Sequence, residues 1–237
     1  MTDTEPSTSV FANPAGARRA VLRGVLWDLD GTVVDSEPAW FAAETALVER
    51  YGGAWSQERA LELIGADLNH TAAALRREGV PLEPKALVNA LLEVVIERVM
   101  ATRPCRPGVR EALAECGRAG LACALVSMSW RRFTTAVADL LPGAFAAIVS
   151  GDDVTRGKPD PEAYLLGAAR LGLRPDECVA VEDSPTGVAS ALAAGLPTVA
   201  VPNPGQLAPA PGLTILDSTE DITVALLREA HARHWGM

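Results

Sequence analysis

The chain is 237 residues long, enough for one sizeable core or for a core that carries a small inserted domain. Hydrophobic residues make up 49% and charged residues 22%, which excludes a mostly disordered chain. A net charge of −9 argues against nucleic acid as the main partner, because phosphate backbones are met by basic faces.

Residues 1–20 are rich in Ser, Thr, Pro and Ala without periodicity and are expected to form a flexible tail. Their polar, acidic start lacks the basic and apolar regions of a signal peptide. The apolar, β-branched run 21–29 reads as a buried strand ending in Asp28-Leu29-Asp30-Gly31-Thr32. Ser36-Glu37-Pro38 is a helix-start signal, and helical spacing follows over 39–50, 56–63, 70–78 and 84–101. No convincing strand lies between residues 38 and 103, and Pro104, Pro107 and Gly108 mark a break.

Beyond the break the pattern alternates. Helices are predicted at 109–119, 130–140, 161–171 and 185–194, each followed by a strand, at 121–126, 146–149, 178–181 and 198–201. A weak strand at 213–215 and a helix at 219–232 close the chain. Alternation of this kind predicts an α/β protein: a Rossmann-like parallel sheet with helices on both faces, plus an inserted all-helical domain. The expected boundaries are 21–37 and 104–237 for the α/β core and 38–103 for the insertion.

Cys105, Cys116, Cys123 and Cys178 contain no C-x-x-C pair and read as buried free thiols of a reducing compartment, which points to the cytoplasm. The most apolar segment, 187–202, is broken by Gly195 and Pro197 and is too short to span a membrane. His70, His231 and His234 lack metal or triad spacing and are expected on the surface. Trp40, Trp55 and Trp130 are expected as packing residues.

In an open parallel sheet, ligands bind outside the carboxyl ends of the strands. The residues arriving there are Asp28, Asp30 and Thr32; then Ser127, Met128 and Ser129; then Lys158; then Glu182, Asp183 and Ser184. The basic residues are 19 arginines and only two lysines, Lys85 and Lys158, so Lys158 reads as retained for a task arginine cannot perform. Four carboxylates cannot gather without a counter-charge. A hard divalent cation suits an all-oxygen set, and Mg²⁺ is expected where phosphate is also handled. Hydroxyls and loop amides opening a helix form an anion cradle. Asp28 and Asp30 are two positions apart and point to the same side if strand geometry continues, so one can attack while the other moves protons. Ser184 reads as the cap of the helix that begins at Pro185.

Asp28-Leu29-Asp30-Gly31-Thr32-Val33-Val34-Asp35-Ser36-Glu37 resembles the first motif of the haloacid dehalogenase-like hydrolases. By chance, Asp-x-Asp-Gly-Thr arises roughly once in a few hundred chains of this length. Ser127 resembles that family's second motif, Lys158 in Gly-Lys-Pro-Asp-Pro-Glu its third, and Glu182-Asp183 in Val-Glu-Asp-Ser-Pro-Thr-Gly its fourth. A helical insertion directly after motif one is similar to the cap of the subgroup that contains phosphoglycolate phosphatase and β-phosphoglucomutase.

The resemblance implies a Mg²⁺-dependent phosphatase that hydrolyses a small phosphorylated metabolite through an aspartyl phosphate. Asp28 would be nucleophile and metal ligand. Asp30 would protonate the leaving oxygen, then activate water, its carbonyl binding metal. Ser127 and Lys158 would hold phosphate, with Thr32 and Met128 beside them; Met128 stands where the family often has something small. Asp183 would bind the metal, with Glu182 as a ligand or as support for one. The partner is then a small phosphate ester, with no nucleic acid and no membrane, and the chain is a monomer or weak homodimer.

Two readings compete. A sugar phosphomutase of the same subgroup needs a basic cap residue soon after Gly65, but none follows before Arg76. A non-catalytic phosphometabolite-binding module would be expected to lose Asp28 or Lys158. A dehalogenase has no need of Asp30, and a phosphonate hydrolase needs a Schiff-base lysine, for which Lys85 lies in the wrong context. Hinges are expected near 35–38 and 101–106. Specificity is expected in 65–69 and in Arg76 or Arg77.

Overall fold

The apolar run 21–29 forms strand β1 over Gly24–Trp27. The strand is shorter than predicted because the Leu29 carbonyl accepts from the amides of Thr32, Val33 and Val34, which turns the chain out of the ladder just beyond Asp28. The computed structural model describes residues 20–63, 66–203 and 205–236. The predicted tail therefore lies outside the described residues except for Ala20.

Five further strands join β1: β2 (Ala122–Val126), β3 (Ala147–Val149), β4 (Cys178–Glu182), β5 (Thr198–Ala200) and β6 (Leu213–Ile215). Their order is β3-β2-β1-β4-β5-β6 and every pairing is parallel. Leu26 stands beside Ala124 on one side and Ala180 on the other. The chain leaves β1 toward β2 in one half and β4 in the other, which makes the end of β1 the switch point of the sheet.

Both faces are covered, as a parallel sheet requires. Val25 and Trp27 point into one apolar cluster, which includes Leu113, Phe133 and Leu227. These come from α5 (Val109–Arg118), α6 (Arg131–Asp139) and α9 (Val224–His234). Leu26 points the other way, into a cluster with Ala163, Tyr164 and Ala191. Those belong to α7 (Glu162–Arg170) and α8 (Pro185–Ala193).

Between β1 and β2 the chain forms α1 (Glu37–Arg50), α2 (Gln57–Leu61), α3 (Leu68–Arg77) and α4 (Pro84–Thr102), with no strand among the described residues of this stretch. Helix α3 begins two residues earlier than predicted, because the Asp67 carboxylate accepts from the amides of Asn69 and His70. Leu87, Leu91 and Val95 of α4 are buried against α1 and α3, and this apolar cluster runs on without interruption into the Val25 face of the sheet. The two connecting segments are tied to each other: Asp35 N donates to Pro104 O at 2.8 Å and Arg106 N to Val33 O at 3.0 Å.

Two expectations are corrected. The last helix starts at Val224 rather than 219, because the Thr223 hydroxyl accepts from Leu226 N and residues Thr219–Asp221 form a separate 3-10 turn capped by Ser218. His231 is buried rather than on the surface; one ring nitrogen bonds the Asp176 carbonyl oxygen at 2.8 Å. All four cysteines are free, three of them buried and Cys105 half-buried. No described helix is long and apolar enough to cross a membrane.

Candidate active site

Four loops at the carboxyl ends of β1, β2, β3 and β4 converge. The Lys158 ammonium is the centre of the cluster. It donates to Asp28 Oδ1 at 2.6 Å, Glu182 Oε1 at 2.6 Å and the Val126 carbonyl at 3.2 Å. Its side chain is only 2% exposed, so these contacts are desolvated. The face of the Tyr164 ring lies 4.9 Å from the same nitrogen.

Glu182 is saturated. Its Oε1 accepts from Lys158 and from the Tyr164 hydroxyl, and its Oε2 from the amides of Asp183 and Ser184 and from the Ser184 hydroxyl. A Cβ at Gly187 would collide with both of its oxygens, so the glycine is what lets α8 sit over it. Ser184 Oγ also accepts from Gly187 N, as a helix cap should.

Asp30 is held by four donors from two directions. Ser127 Oγ and Ser129 Oγ, from the core, reach Oδ2 at 3.0 and 2.8 Å. Ser36 Oγ and Trp40 Nε1, from the start of the insertion, reach Oδ1 at 2.7 and 2.9 Å. Asp28 and Asp30 both line one cavity, with different partners, although strand geometry ends at Trp27.

Burial raises the Asp28 carboxyl to about 7; Lys158 pulls it down, while Glu182 and Asp30 push it up. Asp183 is raised well above the usual carboxylate range by burial, and then by the charges of Asp28 and Glu182. Burial also opposes the charge on Glu182, but Lys158 and the hydrogen bonds around it hold this carboxylate below its usual value. Lys158, opposed by burial, is raised by Asp28 and Glu182.

Asp28, Glu182 and Asp183 each bring one carboxylate oxygen to within 4.8 Å of the others. Asp28 Oδ2 and Asp183 Oδ2 are buried and have no partner among the described residues. Gly31, at φ +84°, leaves the space that Asp183 Oδ2 occupies, since a Cβ there would collide with it. Two orphaned, buried carboxylate oxygens in an all-oxygen set fit a hard divalent cation. Glu182, already engaged at both oxygens, fits support of Lys158 and the Asp183 loop better than direct ligation.

These groups open on a cavity of about 300 Å³. Asp28, Asp30, Ser127, Met128, Lys158 and Asp183 line it together with α1, α2 and the start of α3. Thr32 is buried beside it with its hydroxyl unpartnered, and is not among the lining residues. Met128 accepts the Lys158 amide at its Sδ, 3.2 Å away.

Within the expected specificity segment 65–69, Leu68 lines the cavity and Gly65 lies outside the described residues. Arg76 and Arg77 are not among the lining residues: Arg76 faces Glu83, and Arg77 bonds the Ala73 carbonyl. Sequence reasoning missed Trp40, Tyr164 and Glu44 as polar participants. The one available signal was helical spacing, which puts residues 37, 40, 41 and 44 on one face of α1 behind Ser36.

A family model described as haloacid dehalogenase-like hydrolase matches residues 22–195. Hexitol phosphatase A of Escherichia coli (strain K12) is 38% identical over 219 residues, covering 85% of this chain and 94% of that protein. Hexitol phosphatase B of the same strain is 33% identical over 188 residues, covering 77% and 85%. The crystal structure of a mutant CbbY from Rhodobacter sphaeroides in complex with xylulose-(1,5)bisphosphate superposes with a TM-score of 0.80 at 25% identity. That match covers 87% of this chain and 99% of the other.

Proposed function

The chain belongs to the haloacid dehalogenase-like hydrolases, and within that family we propose that it is a magnesium-dependent phosphatase of a small phosphorylated metabolite, a sugar phosphate or similar monoester, acting through an aspartyl phosphate. The observation that carries this reading is the pairing of Asp28, which has one oxygen on Lys158 and the other free, with Asp30, held by four donors two residues on, at one cavity.

In this reading Asp28 attacks phosphorus as the ester oxygen departs with a proton from Asp30. Asp30 then takes a proton from water, which attacks the aspartyl phosphate, releases inorganic phosphate and frees Asp28. Ser127 and Lys158 hold the phosphoryl oxygens, and Lys158 offsets the charge of the nucleophile. Met128 shapes that end of the pocket, and Thr32, which does not line it, has no direct part. Mg²⁺, held by Asp28, Asp183 and the Asp30 carbonyl with Glu182 as support, would supply positive charge to the phosphoryl oxygens. The insertion 38–103 acts as a cap over the core domain formed by 21–37 and 104–237, and closing it excludes water. Free cysteines support a reducing, cytoplasmic setting.

The insertion side of the cavity carries no basic side chain among the described residues, which goes against the mutase reading. The test is inorganic phosphate release from a panel of monoesters with and without Mg²⁺, beside Asp28→Asn. The expected result is metal-dependent release that vanishes in the variant. Release that survives chelation, or that persists in Asp28→Asn, overturns the proposal.

A further inference from the structure

The cavity has two ends of different character. Its core end carries Asp28, Asp30, Lys158 and Asp183. Its insertion end is walled mainly by Phe41, Leu61, Leu63 and Leu68, with the polar Gln57 and Thr71, and the Glu44 carboxylate of α1 stands in this wall. Glu44 is 5% exposed. Its Oε2 accepts the Trp55 indole N–H at 3.0 Å. Among the described residues no donor reaches Oε1, and that oxygen is not among the unpartnered side-chain atoms sealed from solvent.

A carboxylate placed in an apolar wall with a single neutral hydrogen bond is costly, and burial raises Glu44 to about 7. The one structural task the placement performs is to accept the Trp55 indole N–H, which needs only one of the two oxygens. The other oxygen is left without a donor among the described residues, on a residue that lines the cavity.

Charge accounting points the same way. Lys158 is the one cation among the described lining residues, and it is already bound by Asp28 and Glu182. Glu37, on the same helix as Glu44, adds a second carboxyl to the lining. A substrate with a carboxylate or second phosphate at its far end would bring a negative charge to the Glu44 carboxylate with no cation among the described lining residues beside it. A hydroxyl there would instead donate to Oε1 in a charge-assisted bond.

We propose that Glu44 sets the specificity of the site by accepting hydrogen bonds from the hydroxyls of an uncharged, polyhydroxylated chain, so that phosphorylated sugar alcohols and sugars are taken and phosphate esters with an anionic tail are rejected. Trp55 is the positioning residue that fixes the carboxylate. The assignment rests on the phosphatase reading for its substrate class.

The experiment compares wild type, Glu44→Gln and Glu44→Asp on sorbitol 6-phosphate and 2-phosphoglycolate. Wild type is expected to prefer the polyol ester. Glu44→Gln leaves one neutral carbonyl acceptor, which the Trp55 N–H claims, so the polyol loses its charged acceptor and its kcat/KM falls about ten-fold, mostly through KM. In the same variant phosphoglycolate improves. Glu44→Asp withdraws the acceptor but keeps the charge, so it loses the polyol ester and still rejects phosphoglycolate. Circular dichroism checks that both variants fold.

Wild-type preference for phosphoglycolate, or an unchanged selectivity ratio in Glu44→Gln, overturns the assignment. Calorimetric binding of sorbitol 6-phosphate in an Asp28→Asn background separates it from the phosphatase reading. If wild type hydrolyses no ester of the monoester panel, the phosphatase reading fails, and weaker binding of sorbitol 6-phosphate with Glu44→Gln still upholds Glu44. Equal binding overturns it.

Discussion

Trp40, on the first helix of the insertion, donates its indole N–H to the Asp30 carboxylate of the core at 2.9 Å. The proposed proton carrier is therefore oriented jointly by the two parts of the chain: Ser127 and Ser129 from the sheet, Ser36 and Trp40 from the insertion.

Trp40→Phe keeps an aromatic ring edge-on to Phe133, now 5.7 Å away, and removes the donor. A hydrogen bond to a charged acceptor is worth about 1.5–3 kcal/mol. If half of that is felt in the transition state, kcat falls about 4- to 13-fold. Steady-state kinetics should show this drop with a much smaller change in KM. An unchanged kcat would mean that Asp30 does not depend on the insertion for its orientation.

Glu182 and Asp183 are adjacent carboxylates with opposite surroundings, and their variants should separate. Asp183 has an oxygen with no partner, whereas Glu182 has five donors. Asp183→Asn should raise the Mg²⁺ concentration for half-maximal activity at least ten-fold, as losing a metal-holding group does. Glu182→Gln should mainly lower kcat and stability, because it breaks a buried ion pair, at a cost of about 3–5 kcal/mol. Mg²⁺ titration of activity, with thermal melts beside it, distinguishes the two. Equal loss of Mg²⁺ affinity in both variants would make Glu182 a direct ligand.

Gly31 and Gly120 form a matched pair, at φ +84° and +72°. A Cβ on Gly31 meets Asp183 Oδ2, and one on Gly120 meets nothing within 4 Å. Alanine at either position should cost about 1 kcal/mol of stability from backbone strain. Only Gly31→Ala should also weaken the response to Mg²⁺. If Gly120→Ala does the same, the collision is not the cause.

Burial raises Glu44 from 4.5 to about 7, with the Trp55 hydrogen bond opposing. Between those values the folded protein holds a proton that the unfolded chain has released, so stability falls as pH rises through the window, and the cost is complete above about 7. Glu44→Gln removes that ionisation. It should be more stable than wild type at pH 8 by about 1–3 kcal/mol, which corresponds to a Tm gain of about 2–4 °C per kcal/mol, with the gap closing below pH 4.5. A gap that does not change with pH would place the ionisation of Glu44 elsewhere. Stability gained together with selectivity lost is the behaviour expected of a residue kept for function.

Much of the fold was legible because the governing signals are local. Alternating apolar runs and helical spacing located every strand of the sheet to within a few residues. The four helices of the insertion were recognisable from caps and from residues such as Leu87, Leu91 and Val95. The displaced boundaries have local causes that composition does not expose: the Asp67 cap on α3, the Thr223 cap on α9, and the three amides gathered by the Leu29 carbonyl. His231 was misplaced because its partner, Asp176, lies 55 residues away.

What the sequence determined by itself is the delivery of Asp28, Asp30, Ser127, Lys158 and Asp183 to one edge. Each directly follows a strand or the loop after one, and parallel strands of one sheet end on the same side. What only the tertiary structure decided is how the charges are apportioned. Asp183 keeps a free oxygen while Glu182 has none, Trp40 reaches across to Asp30, and Trp55 pins Glu44 in the cavity wall. These outcomes depend on which side chains meet after packing. Helical spacing puts residues 37, 40, 41 and 44 on one face of α1, but only packing decides that this face turns toward the cavity.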